Sequence, residues 1–173
     1  MMATVITVLG PVDGEALGVV DAHSHLWSAP VEGGDPSAPV LVNAELVSRR
    51  LIEFVNAGGS AIVDCQPGDC GRDGTRLAEF SHRSGVQIIA CTGFHRKRYY
   101  GPDAAIWRMN AKEAASLFCA EIRDGLIETR DAVPVYPGFI KVAAEANFAA
   151  TPRALFEAAA ETCRQTGLAI EMH

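Results

Sequence analysis

The sequence predicts an α/β fold built on a parallel sheet, and three observations predict it. Apolar runs of strand length recur along the chain, longer amphipathic stretches separate them, and capping residues bracket those stretches. The runs are 18–23 (Gly-Val-Val-Asp-Ala-His), 60–65, 86–91, 138–143 and 168–173. Each is apolar on both alternations apart from single polar residues, which is the pattern of parallel strands covered on both faces.

Each helix is bracketed in turn. Asn43 caps a helix reaching Asn56, with Leu46, Val47, Ile52 and Val55 on its apolar face and Gly58-Gly59 ending it. A second runs from Asp73 to His82 and stops before Gly85, and a third spans Asn110 to Leu126. The fourth opens on Thr151-Pro152, a cap followed by proline at the first helical position, and stops before Gly167. The order β-α-β-α-β-α-β-α-β implies right-handed crossovers between parallel strands. Residues 4–9 also alternate and are expected to form a small leader strand within segment 1–17, ahead of a single unit that occupies the rest of 1–173.

Composition narrows the class. With 49% hydrophobic and 21% charged residues, a disordered chain, a fibre and a coiled coil are excluded. A formal charge of −6 gives no global attraction for nucleic acid or an anionic membrane. Five cysteines without a CxxC pair point to a reduced chain with small buried thiols. The start of the chain has no signal-peptide pattern, and no apolar run reaches the roughly 18 residues that span a bilayer. A cytoplasmic chain is the expectation.

The polar exceptions collect at the C-terminal ends of the runs, where parallel barrels carry their active sites. His23 and His25 end the first, Lys141 lies late in the fourth, and His173 ends the fifth. Side chains alternate along a strand, so H-x-H puts both imidazoles on one face as a two-point clamp for a metal. A lysine in an apolar strand needs a partner, loss of its proton or a modification; Asp21, Asp64 and Glu171 are the carboxylates within reach of the pattern. The segment from His95 to Trp107 is long for a βα loop and is read either as a substrate wall or as packing. Tyr99, Tyr100 and Trp107 are its candidate substrate-binding residues. Arg72 either organises its loop or touches substrate, and Asp73 is read as a cap. The cluster Arg96-Lys97-Arg98 is read as a solvated face before a patch that steers anions.

The chain resembles the N-terminal part of the phosphotriesterase-like family, metal-dependent (βα)8 TIM barrels of the amidohydrolase superfamily. The matching stretches are 9–11 (Leu-Gly-Pro), Asp21 to Leu26, Gly58 to Asp64 and Gly71-Arg72-Asp73. They continue with Thr92-Gly93-Phe94, Gly138 to Ala144 and Thr166 to His173, in family order over nearly the whole chain. The family more often has H-E-H where this chain has His23-Ser24-His25. The resemblance implies the first five strands and four helices of the barrel. It implies two divalent ions, most often zinc, with His23 and His25 on one and His173 on the other. Lys141, carboxylated by CO2 to a carbamate, would bridge them. It implies hydrolysis of a lactone, carboxylic ester or phosphoester by a metal-bridging hydroxide. Deoxyribonuclease relatives share the H-x-H start but carry an acidic residue where this chain has Lys141.

By the same resemblance a sixth-strand histidine and an eighth-strand aspartate complete the site, and both fall beyond His173. Four βα units of roughly 39 residues imply a full barrel of roughly 330, so 173 residues are expected to cover a little over half. The competing expectation is an inert half-barrel that requires a complementary C-terminal half or pairs with a copy of itself as a homodimer.

Overall fold

The computed structural model describes residues 4–148 and 150–173. Strands β1 (Thr4–Thr7) and β2 (Gly10–Asp13) form an antiparallel hairpin. The parallel sheet follows, with β3 (Val19–Ser24), β4 (Gly59–Asp64), β5 (Gln87–Ile89), β6 (Cys91–Gly93), β7 (Phe139–Val142) and β8 (Ile170–Met172). Four α-helices cross between them: α1 (Ala44–Asn56), α2 (Gly74–Ser84), α3 (Ala111–Asp124) and α4 (Arg153–Thr166). Pairing runs in chain order, β3-β4-β5 and then β6-β7-β8, which is the advancing order of a barrel wall.

The chain builds α1, α2 and α3 where capping predicts them. The Asn43 side chain accepts from Leu46 N at 2.9 Å, and Asp73 accepts from Arg76 N at 3.0 Å. Asn110 and Glu113 form a reciprocal capping box on α3. Two apolar clusters join helices to sheet. Leu51, Ile62, Leu77, Phe80 and Ile88 fill the space between α1, α2 and the first strands. Phe94, Phe118, Ile140, Val142 and Leu155 do the same under α3 and α4, whose facing alanines (Ala114, Ala115, Ala158, Ala159) let the two helices approach closely. Each large side chain fully buried this way contributes about 1.5–3 kcal/mol.

The structure departs from the sequence reading at five places. The leader is a hairpin, not one strand, because Gly10, at φ 119°, turns the chain back; Gly14–Leu17 then form a 3-10 turn. The third run bends at Ala90 into β5 and β6 and continues to Gly93. Ala90 still accepts from Gly138 N at 2.8 Å, so the wall is not interrupted there. Helix α3 ends at Asp124, because Gly125 adopts φ 94° and Leu126 is drawn into the core. Thr151 does not cap α4: Pro152 takes the cap position, and the buried Thr151 hydroxyl has no partner among the described residues. Finally, only the central strands are covered on both faces. The outer strands β3 and β8 expose Val19 (63%) and Met172 (61%), because neither has a neighbour on its far side among the described residues.

Candidate metal centre at the strand ends

β3, β7 and β8 end close together, and their C-terminal residues make one polar cluster. His23 lies in β3 and His25 just past its end, with ring centroids 5.7 Å apart. His173 follows β8 and stands 5.3 Å from His23. His95, past the end of β6, lies 5.9 Å from His25 and 5.4 Å from His173 and closes a group of four imidazoles. Lys141 is fully buried in β7, paired in register with Gly93 on one side and Glu171 on the other. Gly93 has φ 105°, and a Cβ there would strike the Lys141 carbonyl, so the close approach of β6 to β7 demands glycine.

The electrostatics favour lone pairs over protons. Burial, then the charge of Lys141, depresses His95 to about 3. Burial also lowers His25, and burial with the charges of Lys141 and Arg96 lowers His173. Burial pulls the Glu171 carboxyl upward, but a hydrogen bond from Cys65 and the charges of Lys141 and His23 outweigh it, leaving the group below its ordinary range. Glu171 gathers three groups: His23 Nδ1 at 2.5 Å, Cys65 Sγ at 3.0 Å and Lys141 Nζ at 3.8 Å. The last distance is too long for a hydrogen bond, and Lys141 Nζ has none among the described residues.

This arrangement fits a cation. A buried amine without a hydrogen bond among the described residues, set amid imidazoles and a carboxylate, is a set of donors without its acid. His23, Cys65 and Glu171 alone bring three ligand-type atoms within 4.8 Å of one another.

Beside the cluster opens a cavity of about 510 Å³, large enough for a small metabolite. Its far wall is segment 28–41, apolar through Val31, Pro36 and Leu41, and His25, His95 and His173 form its near wall. Tyr99 lines this cavity and packs edge-on against His95 at 4.5 Å. Tyr100 and Trp107 do not line it. Tyr100 is buried, its hydroxyl accepts from His95 N at 2.9 Å, and Trp107 packs edge-on against it at 5.3 Å. Arg72 also lies outside the cavity lining. Its guanidinium is buried between Glu121 and Glu128 and donates to the Cys91 carbonyl at 2.7 Å, which ties the loop after β4 to α3.

Two residues of the cluster, His95 and Gln66, escape the sequence reading, and Glu171 enters it only as one of three carboxylates for Lys141. His95 follows Thr92-Gly93-Phe94 at a strand end, but the adjoining basic triplet and a run boundary set at Cys91 place it in a loop. Gln66 and Glu171 are common polar residues without a spacing motif. Their proximity to His25 and His23 comes from pairing across the sheet.

Fold and site together define a partial (βα)8 barrel with a histidine-rich rim at the C-terminal ends of its strands. The chain belongs to the phosphotriesterase family, whose profile matches residues 3–173. It is 29% identical to a phospho-furanose lactonase of Mycoplasmopsis agalactiae, over 96% of this chain and 50% of that protein. A solved lactonase from Listeria monocytogenes superposes with a TM-score of 0.84 at 22% identity, over 99% of this chain and 56% of the other. An amidohydrolase structure from Mycoplasma synoviae gives 0.82 at 27% identity, over 98% and 52%. The chain spans about half the length of the curated relatives it matches. Among the described residues no helix is long and apolar enough to cross a membrane.

Proposed function

We propose that this chain carries the N-terminal share of a metal-dependent hydrolase site acting on a lactone or related ester. The observation that carries the reading is Lys141, fully buried, its amine without a hydrogen bond among the described residues, beside the lowered imidazoles of His25 and His173. His23, His25 and His173 would hold two divalent ions, zinc being the best match to imidazole and oxygen donors, and Lys141 as a carbamate would bridge them. Forming the carbamate joins the neutral amine nitrogen to the carbon of CO2 and releases one proton, turning a neutral nitrogen donor into an oxygen anion; from the ammonium, two protons leave. When bound, the ions acidify a water and polarise the scissile carbonyl.

The chain's own residues do the rest. As a carbamate, Lys141 would add anionic oxygens beside the Glu171 carboxylate at the buried end of the cluster, and the apolar wall at Val31, Pro36 and Leu41 keeps bulk water off the substrate. Tyr99 gives a face for the substrate ring to pack on. The relative's name supplies a substrate class, a phosphorylated sugar lactone. Arg96, close enough to depress His173, is a cation that would meet that phosphate.

The test is metal content, mass and turnover on one sample. Stoichiometric zinc, a mass gain of one CO2 lost in Lys141→Met, and lactone hydrolysis are expected. A chain that takes up neither zinc nor CO2 would overturn the reading. The exposed faces of β3 and β8 favour a second reading, in which the chain turns over substrate only after a complementary half or a second copy covers them. Turnover by the monomer would exclude it.

A further inference from the structure

We infer that Gln66 and Glu171 are positioning residues that set the tautomers of the two β3 histidines. Each occupies Nδ1 of one ring and so leaves the Nε2 lone pair for a metal. The inference rests on the metal-binding reading above and assigns roles to two residues outside the ligand set.

The proton positions follow from the hydrogen-bond partners. His25 Nδ1 lies 2.6 Å from Gln66 Oε1. An amide can present oxygen or nitrogen, but the other end of this one meets the Cys70 carbonyl, which only accepts. Gln66 must therefore turn Nε2 to Cys70 and Oε1 to His25. An amide oxygen has no proton to give, so His25 is the donor through Nδ1–H. Gln66 is 5% exposed, and its own N–H donates to Asp64 Oδ1 at 3.1 Å, so backbone and side chain are both held.

Glu171 acts on His23 by the same logic with a charge added. Its carboxylate oxygens accept: Cys65 donates to Oε2 and His23 Nδ1 meets Oε1. His23 again carries its proton on Nδ1, facing an oxygen. The two rings differ in that His23 leans on an anion and His25 on a neutral amide, so His23 becomes the more electron-rich ligand.

His95 supplies the contrast within the same cluster. The backbone N–H of Arg96 donates to its Nδ1 at 2.8 Å, which makes Nδ1 the acceptor and leaves the proton on Nε2. His95 thus presents a donor where His23 and His25 present lone pairs. This separates a substrate-facing imidazole from two ligands that sequence type alone treats as equal.

Long-range proton–nitrogen NMR of the imidazoles in the full, metal-free chain reads the tautomers directly. His23 and His25 are expected as Nδ1–H and His95 as Nε2–H. Gln66→Leu should release His25 alone, and Glu171→Leu should release His23 alone. Gln66→Glu and Glu171→Gln, which keep an acceptor oxygen, should restore the native tautomer. Zinc affinity, by competition with a chelating dye, should fall about 10–100-fold in each leucine variant and recover in the conservative one. Rings that carry their proton on Nε2, or that ignore the substitutions, overturn the inference. So do native tautomer changes with zinc affinity unmoved, an outcome that leaves the proposed function standing. Wild-type chain that binds no zinc strikes the proposed function itself, independently of the tautomers.

Discussion

Two polar clusters sit at the same end of the sheet and differ in what completes them. In the first, Arg72 donates to Glu121, Glu128 and the Cys91 carbonyl, and Thr92 donates to Glu121 at 2.7 Å. Burial pushes Glu121 upward, but Arg72 beside it overrides this and holds the carboxyl below its ordinary value. In the second, four imidazoles and a carboxylate gather at the strand ends near Lys141, and its amine has no hydrogen bond among the described residues. The first cluster is closed by protein alone. The second has donor atoms in excess and needs something from outside. Burial of charge does not by itself mark a site; an unmet valence does.

Substituting the central cation of each cluster breaks the comparison most directly. Arg72→Met strands Glu121 as a buried, unpaired carboxylate and should cost about 3–5 kcal/mol in denaturant unfolding. Lys141→Met removes an orphan instead, since Glu171 keeps His23 and Cys65 as partners. The metal-free variant should match or exceed the wild type, by as much as about 1–3 kcal/mol. If Lys141→Met loses as much as Arg72→Met, the two clusters are the same kind of object.

A second effect of nearly this size is expected at Asp64, which links the clusters by accepting from Leu26 N at 2.7 Å and Gln66 N at 3.1 Å. Burial dominates over those bonds and raises its carboxyl to about 7. A raised carboxyl binds its proton more tightly in the fold than in the unfolded chain. Its contribution is therefore complete below the unfolded value near 3.8 and is lost as pH climbs through 7. The stability advantage of wild type over Asp64→Asn should be greatest near pH 4. It should shrink by up to about 4 kcal/mol by pH 8. An advantage that grows with pH would mean Asp64 is held ionised.

Much of this was legible in the sequence, and the remainder was not for identifiable reasons. Periodicity and caps placed four helices and the central strands, because Asn43, Asp73 and Asn110 act on their own first turns. The ends of β6 and α3 slipped, since Gly93 and Gly125 adopt positive φ for contacts made elsewhere in the fold. His23, His25, Lys141 and His173 could be seen because strand ends in parallel barrels share a rim. The positions of Gln66 and His95 depend on which strand neighbours which, and no local pattern carries that; Glu171 could be named as one of three carboxylates for Lys141, and strand pairing decides among them. The sequence leaves Arg72 as loop organiser or substrate contact, because Glu121 and Glu128, which hold its guanidinium, lie some fifty residues away in the chain.

Metal sharpens the contrast at a smaller scale. Zinc at a hundredfold excess over its Kd should stabilise the wild type by about 2.7 kcal/mol, and Arg72→Met by the same increment if that variant folds. Lys141→Met should gain far less. Equal stabilisation of wild type and Lys141→Met would place the ion away from β7.

The smallest expected effect concerns how the open cluster is held. The Tyr100 hydroxyl accepts the His95 backbone N–H deep in the core, and Tyr100→Phe leaves that donor unmet at a cost of about 1–2 kcal/mol. The effect on zinc affinity should stay below that of Gln66→Leu, because His95 is proton-bearing at Nε2 and stands beside the ligand set. Thermal unfolding and zinc titration of the one variant check both halves. A loss of affinity comparable to Gln66→Leu would make His95 a ligand and move the boundary of the unmet cluster to include it.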